Sequence, residues 1–270
     1  MTRASARRGR RGERPPRAFA VLGALAVGFL ALPLAALLWR APWSEAASVL
    51  ASGEALAALR LSLVCSLSAT AVCIALGLPL AWLQARVDFP GRALVRGIVL
   101  VPVVLPPVVG GVALLMALGR RGLVGAWLDS AFGVRLPFTS AGAAIAEAFV
   151  ALPFFVLTVE GGLRAADRRL EEAARTLGAG PWTVFRRVTL PLLRPALVAG
   201  AALAWARALG EFGATITFAG NFPGRTQTLP LLVYVSLESR PEAGILLSVV
   251  LLAVSLGVLV ALRRRFFEAL

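Results

Sequence analysis

Long runs of apolar residues alternate along this chain with short polar segments that carry most of its arginines. Six runs stand out, at about 19–39, 59–83, 97–118, 141–163, 192–218 and 243–262. Each is near the roughly 20 apolar residues an α-helix needs to cross a bilayer. A lipid core offers no water to backbone N–H and C=O groups, so each run is expected to be helical. The predicted fold class is all-α and integral to a membrane, with about six transmembrane helices. Residues 1–17, rich in Arg, Gly and Pro, predict a disordered arginine-rich tail ahead of a transmembrane domain at 18–270. That tail could be the start of a secretory leader, but the first apolar run is too long for one and more runs follow.

Two places break the pattern. The third run contains Pro102, Pro106, Pro107, Gly110 and Gly111. A proline inside a soluble helix costs about 3 kcal/mol, so a bend is expected here, either a static kink or a bent helix lining a pathway. The second place is the polar stretch Glu171 to Pro191, EEAARTLGAGPWTVFRRVTLP, between the fourth and fifth runs. Leu170, Ala173, Ala174 and Leu177 fall at i, i+3, i+4 and i+7, one apolar stripe of a short helix. Arg169, Glu171, Glu172 and Arg175 decorate the rest, and Glu171 with Arg175 has favourable i,i+4 spacing. Gly178 is placed to stop the helix and Pro181 to start the next turn, after which Phe185, Val188 and Leu190 lead back to apolar sequence. A helix of this kind can slot into a cleft on a soluble partner. It can also lie on lipid headgroups, but a stripe of Ala and Leu without Trp or Phe is poorly suited to that.

Composition agrees with a membrane protein: 59% of residues are hydrophobic and mean hydropathy is +0.82. The net charge of +14 is not a nucleic-acid signature, because the arginines cluster between apolar runs. By the positive-inside rule they place both termini and the 164–190 loop in the cytoplasm. Arg120 to Arg135 is a local exception to the bias. All 28 basic residues are arginine and there is no histidine. A P-loop lysine, a histidine base and histidine metal ligands are therefore excluded. Cys65 and Cys73 lie two turns apart in one run, too far for a disulfide, and read as small core residues.

Charges inside the apolar runs are costly and usually face the interior of a bundle or water. Arg207 and Glu211, four residues apart in the fifth run, can neutralise each other. They read either as a structural ion pair or as part of a passage for an anion. Thr215, Thr217 and Asn221 follow and offer donors to an oxyanion or to their own backbone. Glu147, in the fourth run, has no evident partner.

The polar stretch resembles the cytoplasmic loop of ABC-importer permeases, whose pattern is EAA, three residues, G, nine residues, I, one residue, LP. Glu172-Ala173-Ala174, Gly178, Val188 and Leu190-Pro191 match every spacing, with Val in place of Ile. Arg96 to Gly125 and Ala208 to Tyr234 are similar to the molybdate permeases of that family, and sulfate permeases are near relatives. The resemblance implies a type I ABC importer permease fold, with a coupling helix between transmembrane helices 4 and 5. Glu171, Glu172, Ala173, Ala174, Leu177, Gly178 and Ala179 would then contact an ATPase subunit. It further implies a homodimer in a bacterial inner membrane, two cytoplasmic ATP-binding subunits that use ATP and Mg, and an extracytoplasmic substrate-binding protein. The chain itself would hold no cofactor and catalyse nothing. The implied cargo is molybdate, with sulfate, thiosulfate and tungstate as alternatives. An ion channel would not need the coupling loop, and no catalytic constellation for an intramembrane enzyme is present.

Overall fold

The computed structural model describes residues 16–267, and every regular element among them is helical. The arginine-rich tail lies outside the described residues up to its last two positions. The chain divides into two compact units, up to Ala41 and from Pro42 onward. The first contains one helix, α1 (Arg17–Arg40), with Pro33 inside it and no buried residue. A helix that is apolar all round and uncovered by its own unit suits a lipid surround.

The second unit is built on α2 (Gly53–Arg86), started by Ser52, whose hydroxyl accepts the Ala55 N–H. Its 34 residues extend about 50 Å at 1.5 Å per residue, well beyond a hydrocarbon core of about 30 Å. Its buried stripe is made of small residues, among them Ala58, Ser62, Cys65, Ala69, Cys73 and Ala81. Small residues let helix backbones approach closely in a membrane, where packing rather than water drives association. The neighbour is α6 (Ser140–Ala165), which turns Ala143, Ala146, Val150 and Ala151 inward. Phe155 of α6 is fully buried and fills the space left by two glycines, Gly77 of α2 and Gly200 of a third helix. A Cβ at Gly77 would lie 2.6 Å from the Phe155 ring. Both cysteines are buried and unpaired, and their thiols donate to backbone carbonyls of Ser140 and Ala148.

The third apolar run is not one helix. It forms α3 (Arg92–Val104) and α4 (Pro107–Leu118), separated at Leu105 and Pro106. Leu105 is extended because a residue before proline is pushed out of the helical region, and two successive prolines withdraw two N–H donors. The fifth run is likewise divided, into α8 (Arg194–Leu209) and α9 (Gly213–Phe218). Gly111 lets α4 lie directly against α9, since a Cβ there would meet Thr217 at 2.6 Å. Among the described residues, four helices are long and apolar enough to cross a membrane singly: α1, α2, α6 and residues 241–258 of the last helix. A fifth candidate is the pair Pro181–Leu192 and Arg194–Leu209, bent by 70°.

Two elements were not evident in the sequence pattern. The helix α5 (Gly125–Phe132) occupies the arginine-bearing stretch after α4, with Asp129 held by Arg135 at 2.8 Å and Arg120 at 3.1 Å. The Arg135 hydrogen bond is the main cause that holds the Asp129 carboxyl below its usual range. The short apolar helix α10 (Leu229–Ser239) precedes α11 (Pro241–Phe267) and packs on it. The first N–H of α10, at Leu229, is accepted by the Ser62 hydroxyl at 2.6 Å, which ties α10 to the first third of α2.

Candidate functional site

The polar stretch after α6 folds as expected into a short helix, α7 (Arg168–Thr176). Asp167 caps it by accepting the Arg169 N–H. At its other end Gly178 has φ +83°, the left-handed conformation that glycine adopts without steric penalty. The Ala179 N–H reaches back to the Ala174 carbonyl at 3.0 Å, closing the helix end. The following residues do not run straight back into an apolar span. Pro181–Leu192 is helical, with a π turn at Phe185–Thr189, and forms a crosswise segment before the 70° bend into α8.

The two faces of α7 differ in kind. Leu170, Glu172, Ala173 and Leu177 are exposed, with Leu177 at 88%, and Trp182 beyond the turn is exposed at 71%. Trp182 stacks on Phe185, ring centroids 5.5 Å apart. Ala174 and Ala179 are half-buried. Glu171 points the other way and is buried. Its carboxylate does not pair with Arg175, as the i,i+4 spacing had predicted, but with Arg86 of α2 at 3.0 Å. The same oxygen, Oε1, accepts the Thr189 hydroxyl at 3.0 Å. The buried arrangement gives the carboxylate a second donor, the Thr189 hydroxyl, beside the charge-assisted bond from Arg86, which offsets the loss of water, whereas Arg175 lies on the solvated side.

Arginines also cap the end of α2. The last four carbonyls of a helix have no partner within it. The Leu83 carbonyl accepts the Val87 N–H. The Gln84 carbonyl accepts from Arg92 and from Arg164 Nη2, and the Ala85 carbonyl accepts from Arg168 Nη2 at 2.9 Å. Positive side chains are favoured there by the helix dipole as well. Arg164 is held in turn by Glu160, at 2.7 Å, with Arg96 at 3.9 Å from the same carboxylate. From the sequence these arginines carry a topological meaning only, and Arg86, Arg168 and Thr189 were missed as parts of the site. Their partners are about 80 residues away in sequence or in a different helix, beyond the reach of local spacing rules.

The second candidate group lies at the break between α8 and α9. Arg207 Nη2 is 2.6 Å from Glu211 Oε2, and Glu211 is almost wholly buried while Arg207 retains 28% of its side-chain exposure. This is not a pair along one straight helix, as expected. Glu211 follows the end of α8, and its other oxygen, Oε1, accepts the Ala214 N–H at 2.8 Å, near the start of α9. Thr215 is fully buried and its hydroxyl has no hydrogen-bond partner. Thr217 bonds its own Gly213 carbonyl at 2.8 Å, the backbone alternative. Asn221 is half-buried with its side-chain oxygen unpartnered. No hydrogen bond joins these three to the Arg207–Glu211 pair among the described residues. Glu147 of α6 is buried to 1% exposure, close enough to Glu211 to interact with it electrostatically, and its Oε2 has no hydrogen-bond partner. Among the described residues, no group of acidic or cysteine side chains is arranged to hold a metal ion.

Known proteins resemble this chain over most of its length. Residues 73–270 match the family model described as the binding-protein-dependent transport system inner membrane component. The molybdenum transport system permease protein ModB of Mycobacterium tuberculosis is 45% identical over 229 residues, covering 84% of this chain and 86% of that protein. The sulfate transport system permease protein CysT of Escherichia coli is 39% identical over 229 residues, covering 83% and 82%. Among solved structures, a bacterial ABC transporter that imports the acidic polysaccharide alginate shares the fold at a TM-score of 0.70 and 19% identity, covering 91% of this chain and 94% of that one.

Proposed function

This chain belongs to the family of binding-protein-dependent transport system inner membrane components, and from that premise we propose that it is the permease subunit of an ABC importer for molybdate. It is a multi-pass inner-membrane protein of the all-α permease fold. The observation that carries the mechanism is the outward apolar face of α7, Leu170 and Leu177 beside Glu172 and Ala173, ended by the left-handed Gly178. Apolar side chains set on a short, well-capped helix in an otherwise charged loop fit a cleft on a soluble protein. We assign the docking role to Glu172, Ala173, Ala174, Leu177, Gly178 and Ala179, and the docked partner is a cytoplasmic ATP-binding subunit. The chain has no lysine for a P-loop, so ATP and Mg belong to that partner.

The working unit is a homodimer with two ATP-binding subunits and an extracytoplasmic substrate-binding protein, both termini of the permease lying in the cytoplasm. ATP binding draws the two α7 helices together and switches the dimer between inward-open and outward-open states. Helix breaks at membrane depth are tolerated where they line a cavity or pack on protein. We place the break at Gly210 to Phe212 beside the passage. Glu211 serves the fold there, by orienting Arg207 and accepting the Ala214 N–H. Arg207 keeps part of its surface open and supplies the positive field an oxyanion needs in a low-dielectric passage. Thr215 and Asn221 offer buried polar atoms without partners near the same break, and Thr217 packs α9 on α4.

Molybdate is preferred to sulfate because the matched molybdenum permease is more similar than the matched sulfate permease at equal aligned length. Reconstituting the permease with its ATP-binding subunit and binding protein in vesicles tests the assignment. ATP-dependent uptake of molybdate that excess sulfate does not suppress is expected. Uptake of sulfate with no uptake of molybdate would overturn the cargo, and ATP-independent flux of either would overturn the class.

A further inference from the structure

The helix α7 has covalent connections to α6 on one side and to the crosswise segment on the other, and neither reaches α2. Yet α2 is the longest helix of the unit and packs along α6 and α8. Among the described residues, the side-chain hydrogen bonds that join it to α7 are the ion pair of Arg86 with Glu171 and the bond from Arg168 to the Ala85 carbonyl.

We propose that Glu171 and Arg86 are positioning residues for transport, forming the noncovalent link through which motion of α7 passes to α2. The proposal rests on the docking role given to α7 above. Glu171 Oε1 is a three-way junction: it holds Arg86 from the end of α2 and Thr189 from the crosswise segment, both at 3.0 Å, from its own place in the middle of α7. The two charged side chains are 6% and 8% exposed. An exposed ion pair is screened and easily exchanged for water, but a pair withdrawn from water strongly resists separation, because neither charge finds a substitute partner. Such a junction transmits displacement instead of yielding to it. The outward residues of α7 then grip the partner, and the single inward acid carries the resulting movement to the two neighbouring elements. Arg168 adds a second tie at the same helix end, and it joins α7 to the carbonyl next to Arg86, so both ties act on the last turn of α2.

The test uses the complete complex in vesicles and reads molybdate uptake and ATP hydrolysis together. Glu171→Gln keeps the shape and the acceptor for Thr189 but removes the charge. It is expected to retain co-purification with the ATP-binding subunit and stimulated hydrolysis, while uptake per ATP hydrolysed falls about tenfold, within the range of typical coupling between sites. The exchange Arg86→Glu with Glu171→Arg restores most of that ratio. Should Glu171→Gln fail to assemble, Thr189→Val carries the test, since it removes one arm of the junction and leaves the ion pair; a smaller fall in the same ratio is expected. An unchanged ratio in both variants, with only thermal stability reduced, overturns the proposal and leaves the pair a structural one. Failure of the docking role itself is read separately. Leu177→Asp, on the outward face, would then leave co-purification and stimulated hydrolysis intact.

Discussion

Arg86, the last residue of α2, and Glu171, in the middle of α7, meet at 3.0 Å with both side chains almost out of water. A buried pair of this kind is sensitive to the loss of one member. Arg86→Met or Glu171→Leu alone leaves an unpaired charge and is expected to cost about 3–5 kcal/mol. The double variant removes both charges and should recover most of the loss. Thermal unfolding of the three proteins in detergent measures this, and simple addition of the two single losses would contradict the coupling.

Gly178 sits at φ +83° with open space around the position where a Cβ would stand. Replacement there meets no clash, so its effect is purely conformational. Gly178→Val forces a β-branched residue into the left-handed region, at a cost of about 1–2 kcal/mol, and should loosen the last turn of α7. Gly178→Asn should cost less, because asparagine visits that region more readily. Hydrogen exchange at residues 174–179 is expected to accelerate in the Val variant. Identical exchange in all three proteins would show that the helix end does not depend on the glycine.

At the centre of the second unit, Phe155 occupies the space that Gly77 leaves open. Gly77→Leu inserts bulk against a ring with no room to move, and overpacking of this kind costs about 1–3 kcal/mol. Combining it with Phe155→Ala should give back part of that loss, since the ring is the obstacle. A Gly77→Leu protein as stable as the wild type would mean that α2 and α6 are not packed as closely as described.

The membrane class, the short helix after α6 and its glycine stop were legible in the sequence because each depends on local rules: run length, a stripe at i, i+3, i+4 and i+7, and the freedom of glycine. The paired prolines at Pro106 and Pro107 were legible as a disturbance, but a bend was expected where the chain leaves the helix altogether. The helix α10 escaped notice because 11 residues are too few to span a bilayer and its first turn follows a polar stretch. The role of Arg86 was not legible at all. Its partner is 85 residues away, and an arginine beside an apolar run looks the same whether it faces lipid phosphate, water or a buried carboxylate. Glu171 was assigned to the docking surface for a similar reason: the helical wheel shows a polar position, not which polar position turns toward the protein.

The break between α8 and α9 separates two roles within one ion pair. Arg207→Leu with Glu211→Leu leaves no charge unpaired, so the double variant should be far more stable than Arg207→Leu alone, which strands a buried carboxylate. Molybdate uptake should stay low in the double variant, because the positive field for the oxyanion is gone. Full uptake by a stable double variant would remove Arg207 from the passage and leave the pair as part of the scaffold.

In the docking role proposed for α7, its exposed face receives motion from an ATP-hydrolysing partner, and Leu177, just past its last turn and 88% exposed, is the side chain on which that role turns. The most direct measurement is ATP hydrolysis by the reconstituted complex, with and without molybdate-loaded binding protein, for the wild type and Leu177→Asp. The wild type should show stimulation by the loaded binding protein, and Leu177→Asp, correctly inserted, should lose that stimulation together with uptake. Equal stimulation and equal uptake in the two proteins would mean that α7 does not dock on the ATP-binding subunit through this face.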